Sequence, residues 1–558
     1  MFFALDFGAA TTSVALVGNV GNRWRLIAHT AAPASVDVEQ LIAAQLAGVA
    51  SADGELFAEL SGRNVGQKPP DFAAISQSWT RLTAHSTPPR RIAVLAGSRR
   101  QRRRLEEAAI NSGWLVAGGS GEEDDHVALS RLVFDGEISA VLLGADQSPS
   151  GDERRHLPDL AALVAAAARI RPELTVVLAG GAAAHELAFS QEPDPRFAQR
   201  PDGGEVTEAA AVSVPRVLLA PDAEAGNPAG AALQQVLEGL RAVRDDSRLG
   251  FARSIASLAY VLDRTIEGLE VGLDSGLRIR SEPYGQNHFA VVSSHVLLAG
   301  AAYAPIDPTE EVIDGVLAWS TISPPDRYRT LDRLRDFRIA PWGESDGEGA
   351  ILRLAAAKAA VERLIEATPD ITGAPMPDLI VAGGGVFASL PPSIVSLAMA
   401  DLIRRPGVAQ LACDQARLLG PLGALEDEAE RRRLLANLAD DLLVPLGSLV
   451  MPAGIKAGRS AGRLRLRGGA QDAEIDMHPG AIQVLDLQAG MKAKVVIDFR
   501  DTVRLGTRSR HFEMDVSGGL SGLLLDLRDI PLRLPDRPEQ RRAALEAWQR
   551  GMWPEMDE

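Results

Sequence analysis

The first half of the chain alternates between short apolar runs and longer stretches rich in Ala and Leu. Most of the apolar runs end in Gly or Asp, and their sequences are FFALDFG, RRIAVLAG, GWLVAGG, ISAVLLGAD and TVVLAGG. Most of them are followed by a helical pattern, of which the clearest covers residues 159–174. Apolar strands separated by helices predict parallel βαβ units, in which ligand-binding loops lie at the carboxyl ends of the strands.

The second half predicts a different mixture of elements. Residues 190–229 are rich in Pro, Gly and acids, which predicts a long surface connection containing one strand, VPRVLLA. A long helical pattern then covers about 230–268, and another helix is predicted over 349–367. After about residue 440, short alternating strands separated by Gly predict an antiparallel β domain or a small barrel, and a last helix begins near Pro538.

The longest run without a formal charge, residues 289–306, is the segment to consider as a possible membrane span. Ser293, Ser294 and His295 lie in its middle and Pro305 near its end. This pattern favours a buried strand followed by a helix over a membrane span.

Composition and charge narrow the range of functions. The 558 residues are enough for several domains. With 58 basic and 74 acidic residues the net charge is −16, which argues against nucleic acid and anionic lipid as general partners. The single cysteine, Cys413, cannot form an intramolecular disulfide and is expected in the core. The start, MFFALDFG, lacks the basic segment of a secretory signal, so a cytoplasmic protein is expected.

Three loops join the end of a predicted strand to glycine. They are FALDFGAATTSVALV (3–17), LEVGLDSGLRI (269–279) and PDLIVAGGGVFASLPP (377–392), and the first two also carry an acidic residue. Glycine lets backbone N–H groups approach phosphate oxygens, and a carboxylate at a strand end holds magnesium through water. The three loops together predict a nucleotide site, with Asp6 as the candidate magnesium residue.

Taken in this order, the loops resemble those of the actin-like ATPase superfamily, in which two related lobes each contribute a phosphate loop. Within it the chain resembles the MutL (or GlmL, glutamate mutase L) family. LDFGAATTSVALV is similar to the first phosphate loop, and VPRVLLAPDAEAGNPAGAALQQVLEGL is similar to the crossover segment. LIVAGGGVFASLPP with ARLLGPLGAL is similar to the adenosine loop and final helix, and GGLSGLLLDLRDIPLRLPDRPEQRRAALEAW resembles the C-terminal extension of longer members.

The resemblance implies an α/β protein with a two-lobed actin-like (ribonuclease H-like) ATPase fold and a C-terminal β-rich domain. The implied segments are a first lobe over 1–245, a second lobe over 246–440, an antiparallel β domain over 441–535, and a terminal docking helix and tail over 536–558. ATP or ADP with magnesium is the implied ligand. The implied nucleotide-binding residues are Asp6, Gly8, Thr11, Thr12, Glu270, Gly272, Ser275, Gly383, Gly384 and Gly385.

The sequence departs from the family pattern in both phosphate loops. Ala9 and Ala10 stand where the family has two hydroxyl residues, and Ser13 stands where a lysine is common. In the second loop Leu273 replaces a glycine and is expected to crowd the anion, while Asp274 adds a negative charge. Weakened or lost ATP hydrolysis is therefore expected, and no catalytic residue is assigned. Arg278 and Arg280 offset these losses only if they face inward.

Other polar segments favour structural roles. The acidic segment EEDDH (122–126) is expected to be a solvated turn, and the basic residues within 99–104 a solvated helix face. Asp146 and Asp152 follow a predicted strand and are candidates for metal or catalytic water, although helix capping by Ser150 or Asp152 is an equal alternative. The spacing of His and Cys indicates neither zinc nor a covalent cofactor.

Three functions remain open at this point. The first is the one that the resemblance implies: a nucleotide-binding accessory, or reactivating chaperone, of an adenosylcobalamin-dependent carbon-skeleton mutase, with a mutase subunit as partner. The second is an inactive actin-fold scaffold that acts through protein contacts of its C-terminal β domain. The third, a sugar or acyl kinase, lacks a convincing catalytic aspartate and ranks last.

Overall fold

The structure, a computed structural model, describes residues 1–553 apart from several gaps. The gaps are 63–71, 73–77, 87–89, 113, 191–215, 223–227, 242–245, 274, 284–286, 291–306, 323, 341–346, 368–373, 403–404, 457, 459, 469–471, 529 and 531. The described chain divides into two compact units. Unit 1 lies within 1–87, 243–290 and 294–558, and unit 2 lies within 88–242. The finer four-part division stays a prediction.

The N-terminal part of unit 1 is a four-stranded sheet with helices on one face. Its elements are β1 (Phe2–Phe7), β2 (Thr11–Val20), β3 (Arg23–Pro33), α1 (Val38–Ala52), α2 (Gly54–Ser61) and β4 (Thr80–His85). The strand order is β3-β2-β1-β4, with β1 antiparallel to β2 and parallel to β4. Alternate residues of β1, Phe3 and Leu5, pack with Ile42 and Leu46 of α1, which leaves Asp6 on the opposite face.

Unit 2 is a doubly wound α/β domain. Its strands are β5 (Arg91–Ala96), β6 (Leu115–Ser120), β7 (Ile138–Ala145), β8 (Thr175–Gly180) and β9 (Val217–Ala220). Its helices are α3 (Arg99–Asn111), α4 (His126–Phe134), α5 (Gly151–Ile170), α6 (Leu187–Ser190) and α7 (Pro228–Arg241), with a 3-10 turn at Gly181–His185. All strand pairs are parallel in the order β6-β5-β7-β8-β9. The predicted parallel βαβ units are confirmed here, whereas β1, expected in the same series, leads into an antiparallel hairpin.

The remainder of unit 1 contains an eight-stranded and a four-stranded sheet. Its strands are β10 (Ile266–Val271), β11 (Gly276–Ser281), β12 (Asn287–Ala290), β13 (Leu379–Gly383), β14 (Gly407–Cys413), β15 (Val444–Met451), β16 (Gly462–Arg467), β17 (Ala473–Met477), β18 (Ile482–Leu485), β19 (Lys492–Leu505), β20 (Thr507–Ser517) and β21 (Leu523–Asp526). Eight of them form one mixed sheet in the order β12-β11-β10-β13-β14-β15-β21-β18, and four form an antiparallel sheet in the order β17-β16-β19-β20.

The helices of this part cover and connect those sheets. They are α8 (Ser247–Leu262), α9 (Glu310–Trp319), α10 (Arg327–Ile339), α11 (Gly347–Ala367), α12 (Gly384–Ala388), α13 (Pro392–Leu402), α14 (Leu419–Gly423), α15 (Glu428–Leu442) and α16 (Pro538–Met552). Cys413, at the end of β14, is buried as expected. The described part of the chain is therefore α/β with mixed sheets.

The prediction of a single helix over 230–268 is wrong. The structure has two helices, α7 and α8, and β10 already begins at Ile266. The side chain of Asp246 caps α8 by accepting hydrogen bonds from the backbone N–H groups of Arg248 and Leu249. At the other end Asp263 adopts a left-handed conformation that closes the helix.

The C-terminal strands predicted after residue 440 are present but divide between two sheets. β15, β18 and β21 extend the eight-stranded sheet, whereas β16, β17, β19 and β20 form the separate antiparallel sheet. The last helix begins at Pro538 as predicted, and Leu545 is buried. The predictions for 191–215 and 291–306 lie outside the described residues. Among the described helices, none is long and apolar enough to span a membrane.

Candidate functional site

A cleft in unit 1 brings the predicted loops together. It holds about 700 Å³ of empty space, part of which is open to solvent. The residues that line it are Asp6, Gly8, Ala9, Ala10, Thr11, Ser86, Ser247, Glu270, Gly272, Leu273, Phe337, Arg353, Ala356, Gly385, Val386, Ser389, Leu390 and Arg417.

Two hairpin turns of the same construction border this cleft. In the turn between β1 and β2, the N–H of Gly8 donates to the carbonyl of Thr11 at 2.9 Å. In the turn between β10 and β11, the N–H of Gly272 donates to the carbonyl of Ser275, also at 2.9 Å. The first strand of each hairpin also pairs in parallel with a later strand, β4 or β13. The strand-acid-glycine pattern is thus repeated in the backbone as well as in the sequence.

The glycine loop after β13 packs closely against both turns. Gly384 has a φ of 86°, and a Cβ there would lie 2.5 Å from the carbonyl oxygen of Val271. A Cβ on Gly385 would lie 3.4 Å from Oγ1 of Thr11. Only glycine at position 384 permits this approach of the loop to the second hairpin.

The structure brings six of the ten predicted nucleotide-binding residues to the cleft. Those that line it are Asp6, Gly8, Thr11, Glu270, Gly272 and Gly385. The other four, Thr12, Ser275, Gly383 and Gly384, lie next to it in the same loops without lining it. Thr12 and Ser275 are buried, and Thr12 pairs with Phe7 in the register of the hairpin. The binding role of all ten stays a prediction.

Arg417 is the main cleft residue that the sequence analysis missed. It lies between β14 and α14, and its guanidinium group forms a buried ion pair with Asp6. Nε lies 2.5 Å from Oδ2 of Asp6, and Nη1 donates to the carbonyl of Thr11 at 3.2 Å and to Oγ1 of the same residue. A Cβ on Gly8 would lie 2.6 Å from Nη2. Arg417 therefore fills the concave side of the first hairpin turn.

Residues at the start of α8 form a second layer behind Asp6. Oγ of Ser247 donates to Oδ1 of Asp6 at 2.9 Å. The neighbouring Asp246 and Arg248 form an ion pair at 3.0 Å, and both side chains are almost completely buried. This layer escaped the sequence analysis because residues 230–268 were interpreted as one helix.

Two other carboxyl groups near the cleft have raised pKa values. Burial, reinforced by the negative charge of Asp6, raises the pKa of Glu270 to about 8. Burial raises the pKa of Asp414 to about 7, although this carboxylate accepts hydrogen bonds from the N–H groups of Leu418 and Leu419 at 2.9 Å. Both carboxyl groups therefore carry protons over part of the neutral pH range.

The charges around the first hairpin are balanced by these protons. The groups concerned are the carboxyls of Asp6, Asp246, Glu270 and Asp414 and the guanidinium groups of Arg248 and Arg417. Four ionised carboxylates would exceed two arginines in a region of low polarity, so retention of protons by two of the acids lowers the electrostatic cost.

Much of the lining of the cleft is apolar. The apolar lining residues are Ala9, Ala10, Leu273, Phe337, Ala356, Val386 and Leu390. Arg353 also lines the cleft, with its guanidinium carbon 4.9 Å from the centre of the Phe337 ring. The cleft therefore offers apolar surface beside two arginines, an arrangement suited to a ligand with a flat apolar part and an anionic group.

Leu273 lies in the second turn without the backbone conformation that favours glycine. The described non-glycine residues with positive φ are Asn22, Asp263 and Arg417. The side chain of Leu273 lines the cleft, and its expected crowding of an anion stays a prediction. Asp274 lies outside the described residues.

Arg278 and Arg280 do not line the cleft. Nε of Arg278 lies 2.8 Å from Oε1 of Glu267, and Arg280 lies 3.8 Å from the other oxygen of the same carboxylate. Neither arginine compensates for the altered phosphate loops.

The surroundings of Asp6 do not fit a hydrated magnesium ion. Oδ1 accepts from Ser247 and Oδ2 from Arg417, so both carboxylate oxygens are engaged by protein donors. The described residues include no group of three or more Asp, Glu, His or Cys side chains placed to hold a metal. Magnesium ordinarily takes one or two free carboxylates besides water and phosphate.

In unit 2 the acidic segment is a largely exposed turn and the basic helix face is largely exposed, as expected, and the two segments also form ion pairs with each other. Arg102 of α3 forms ion pairs with Glu123 at 3.2 Å and with Asp124 at 3.7 Å. Arg99 pairs with Glu123 at 3.2 Å. The side chain of Asp125 caps α4. These interactions give both segments a structural role.

The strand-end loop of unit 2 also has structural contacts. Ser150 caps α5 and forms a capping box with Glu153, which explains why this helix begins before the predicted residue 159. Asp146 forms an ion pair with Arg104 at 3.6 Å, and burial raises its pKa. The side chain of Asp152 lies outside the described part of the structure.

No protein-family model matches the chain, and no curated protein sequence matches it. Among solved structures, the chain is similar to the nucleotide-free structure of acetone carboxylase, described with a mechanism of ATP-dependent acetone carboxylation. The identity is 10%, the alignment covers 85% of this chain and 81% of that chain, and the TM-score is 0.26. A dinucleotide-forming acetyl-coenzyme A synthetase 1 of Ca. Korarchaeum cryptofilum, in complex with phosphate and ADP, is similar at 11% identity over 63% of this chain and 67% of that chain, with a TM-score of 0.14. At these TM-scores neither similarity carries an argument about this protein.

Proposed function

We propose that unit 1 binds a nucleotide in the cleft without hydrolysing it. The observation that carries this proposal is the meeting of three loops, chosen from the sequence as two phosphate loops and one adenosine loop, around a single cleft. They come from positions 8–11, 272–275 and 383–385, which are far apart in the chain.

The repeated hairpins support the same proposal at the level of the fold. The sheet β3-β2-β1-β4 and the eight-stranded sheet each contain an antiparallel hairpin whose first strand has a parallel neighbour on its other side. A two-lobed actin-like fold has two related halves of this kind, so we place the chain as a divergent actin-like protein. The MutL or GlmL family is the finer proposal, and it rests on the order of the sequence motifs.

Loss of hydrolysis follows from the surroundings of Asp6. Its carboxylate is engaged by Arg417 and Ser247, so it is not available to position a metal ion or an attacking water. Ala9 and Ala10 add no hydroxyl donors to the turn, and both are buried. Phosphoryl transfer depends on positioning and charge stabilisation, and both are weakened here.

The adenosine part of the ligand would lie against the apolar residues of α10, α12 and the segment after α12. Phe337, Leu390 and Val386 supply apolar surface there, and Arg353 lies over the Phe337 ring. The anionic part would then point towards the first hairpin, where Arg417 carries the nearest described cationic group.

The biological role proposed with this binding is that of an accessory or reactivating chaperone of an adenosylcobalamin-dependent carbon-skeleton mutase. Its support is the resemblance of the sequence motifs to the MutL or GlmL family. A mutase subunit is the proposed partner, the C-terminal strands are the proposed contact surface, and the cytoplasm is the proposed location. A pull-down with purified cobalamin-dependent mutase subunits tests this role, and consistent failure to retain any of them would count against it.

Calorimetric titration of the full chain with ATP and ADP tests the nucleotide proposal. We expect binding of ADP and no phosphate release from ATP above background. Ser389→Trp places a large ring in the cleft and should weaken binding by about tenfold or more. Ser51→Trp, at an exposed position in α1, is the matched control and should bind as the parent does. Absence of binding by the parent overturns the proposal.

The alternative is an actin-fold scaffold without a ligand. The engagement of the Arg417 guanidinium group by Asp6 and Thr11 favours it, because these contacts already compensate the charge of this cationic group. Retention of a mutase subunit by a parent protein that binds neither ATP nor ADP would support the scaffold over the nucleotide-binding protein.

A further inference from the structure

The guanidinium group of Arg417 donates its hydrogen bonds to the two residues that flank the turn between β1 and β2, Asp6 and Thr11. Nε donates to Oδ2 of Asp6 at 2.5 Å, Nη2 reaches the backbone carbonyl of Asp6 at 3.4 Å, and Nη1 donates twice to Thr11. A guanidinium group presents five N–H donors in a fixed plane, so this arrangement uses its shape closely. The side chain of Arg417 is 5% exposed.

The backbone around Arg417 is fixed in place as well. Arg417 has a φ of 56°, and its N–H donates to the carbonyl of Asp414 at 3.2 Å. Oγ of Ser13 donates to the carbonyl of Ala416 at 3.2 Å, which ties this segment to β2. The guanidinium group is therefore positioned from both ends rather than held only by its charge.

We propose that Arg417 occupies the place of a divalent cation in this cleft, so that the anionic part of the ligand binds without a metal ion. This inference rests on the proposed nucleotide binding and adds the mode of binding to it. A carboxylate at the end of a strand is a candidate magnesium residue, and here the guanidinium group of Arg417 lies against Asp6 and Gly8 instead.

A hydrated cation at Asp6 would have to displace the guanidinium group first. That exchange would remove a buried ion pair and leave Arg417 without its described partners. Breaking a buried pair in this way is strongly unfavourable, because it leaves a charge without compensation. Metal ions should therefore add nothing to the affinity of the parent protein.

Calorimetric titration of the full chain with ADP, in excess magnesium and separately in EDTA, tests this inference. We expect the two dissociation constants to agree within about threefold. A loss of affinity of about tenfold or more in EDTA overturns the inference and leaves nucleotide binding intact. Absence of binding in both buffers overturns the proposed function and this inference with it.

Substitution of Arg417 provides the second arm. Arg417→Ala should weaken ADP binding in EDTA by about tenfold, and magnesium should recover part of that loss because Asp6 is released. Arg417→Lys keeps the positive charge but lacks the planar set of N–H donors. Its affinity for ADP in EDTA should lie between those of the parent and of Arg417→Ala. Arg431→Lys is the matched control, since Arg431 is a buried arginine that bonds Ser257 and Leu425 and does not line the cleft.

If Arg417→Ala does not fold, the EDTA comparison on the parent and the Arg417→Lys titration still decide the matter. Unchanged ADP affinity in a folded Arg417→Ala protein would overturn the inference, because the ligand would then bind without using this charge.

Discussion

Lys358 of α11 and Asp401 of α13 form an ion pair with side chains that are 1% and 0% exposed. Arg528 also pairs with Asp401, at 2.6 Å, and with Asp526, at 2.7 Å. The ring of Trp319 lies 5.0 Å from Nζ of Lys358. This buried network links two helices to the residues that end β21.

Asp401→Asn should lower the free energy of unfolding by about 3–5 kcal/mol. The substitution removes the counter-ion that Lys358 and Arg528 share, so Lys358 loses its carboxylate partner while Arg528 keeps Asp526. Urea unfolding followed by tryptophan fluorescence measures the effect. Glu39→Gln, in the exposed pair with Arg81, is the control and should cost less than about 1 kcal/mol. Equal costs for the two variants would contradict the role of the network.

The pH dependence of stability should carry the signature of Glu270. Its pKa is raised from 4.5 to about 8, so the folded protein binds a proton that the unfolded chain releases between these values. Below about pH 4.5 Glu270 is protonated in both states and does not change the free energy of unfolding. As the pH rises from there to about 8, Glu270 lowers the free energy of unfolding increasingly, because only the unfolded chain releases its proton. Asp6 and Asp246 enlarge this effect, and Arg248 and Arg417 oppose it.

Glu270→Gln isolates that contribution. The variant should gain stability relative to the parent as the pH rises from about 5 to about 8, because the amide never ionises. Chemical unfolding of both proteins at a series of pH values measures the difference. Parallel stability profiles for the two proteins would show that Glu270 does not retain its proton.

Gly384→Ala should destabilise unit 1 by about 2 kcal/mol or more. The residue has a φ of 86°, and its Cβ would lie 2.5 Å from the carbonyl oxygen of Val271. Gly48→Ala in α1 is the matched control, because no atom lies within 4 Å of a Cβ there and alanine favours a helix. The control should be unchanged or slightly more stable in urea unfolding. A mild effect at position 384 would mean that the glycine loop can move away from the second hairpin.

Ala9→Ser/Ala10→Thr should tighten ADP binding by about fivefold, since two hydroxyl donors return to the first turn. Phosphate release from ATP should stay at background, because Arg417 and Ser247 still engage Asp6. Titration calorimetry and a phosphate assay measure the two properties separately. Ala31→Ser, at an exposed position of β3, serves as the control. Recovery of phosphate release would show that the missing hydroxyls alone prevent hydrolysis.

The parts of the fold that depend on local patterns could be predicted from the sequence. The parallel strands of unit 2 are continuous apolar runs, and each hairpin turn combines an apolar strand, an acid and a glycine. Six predicted residues line one cleft because those patterns fix where a strand ends. The helical pattern chosen at 159–174 placed the start of α5 too late, whereas the alternative that Ser150 caps a helix is confirmed by its capping box with Glu153.

Arg417 could not be predicted in this way because its partner Asp6 lies 411 residues away. A weaker local signal was present: LACDQAR ends an apolar strand with Asp414, the same scheme as the two hairpins. The break before α8 was also missed, since Ala and Leu on both sides of Asp246 continue a helical period. Long-range charge pairing and a cap inside a helical pattern both need the tertiary structure.

The eight-stranded sheet sets a limit on how the chain can be shortened. β14, whose end leads to Arg417, has β15 as its outer neighbour, and Val444–Met451 pairs with it along its whole length. An expression boundary placed before Val444 would leave the backbone N–H and carbonyl groups of that edge open to pairing with other chains. Recombinant fragments that aim to isolate the cleft should therefore retain the strands up to Asp526. In such a fragment β15 covers the edge of β14 and β21 covers the edge of β15, so neither edge is free to pair with another copy of the chain.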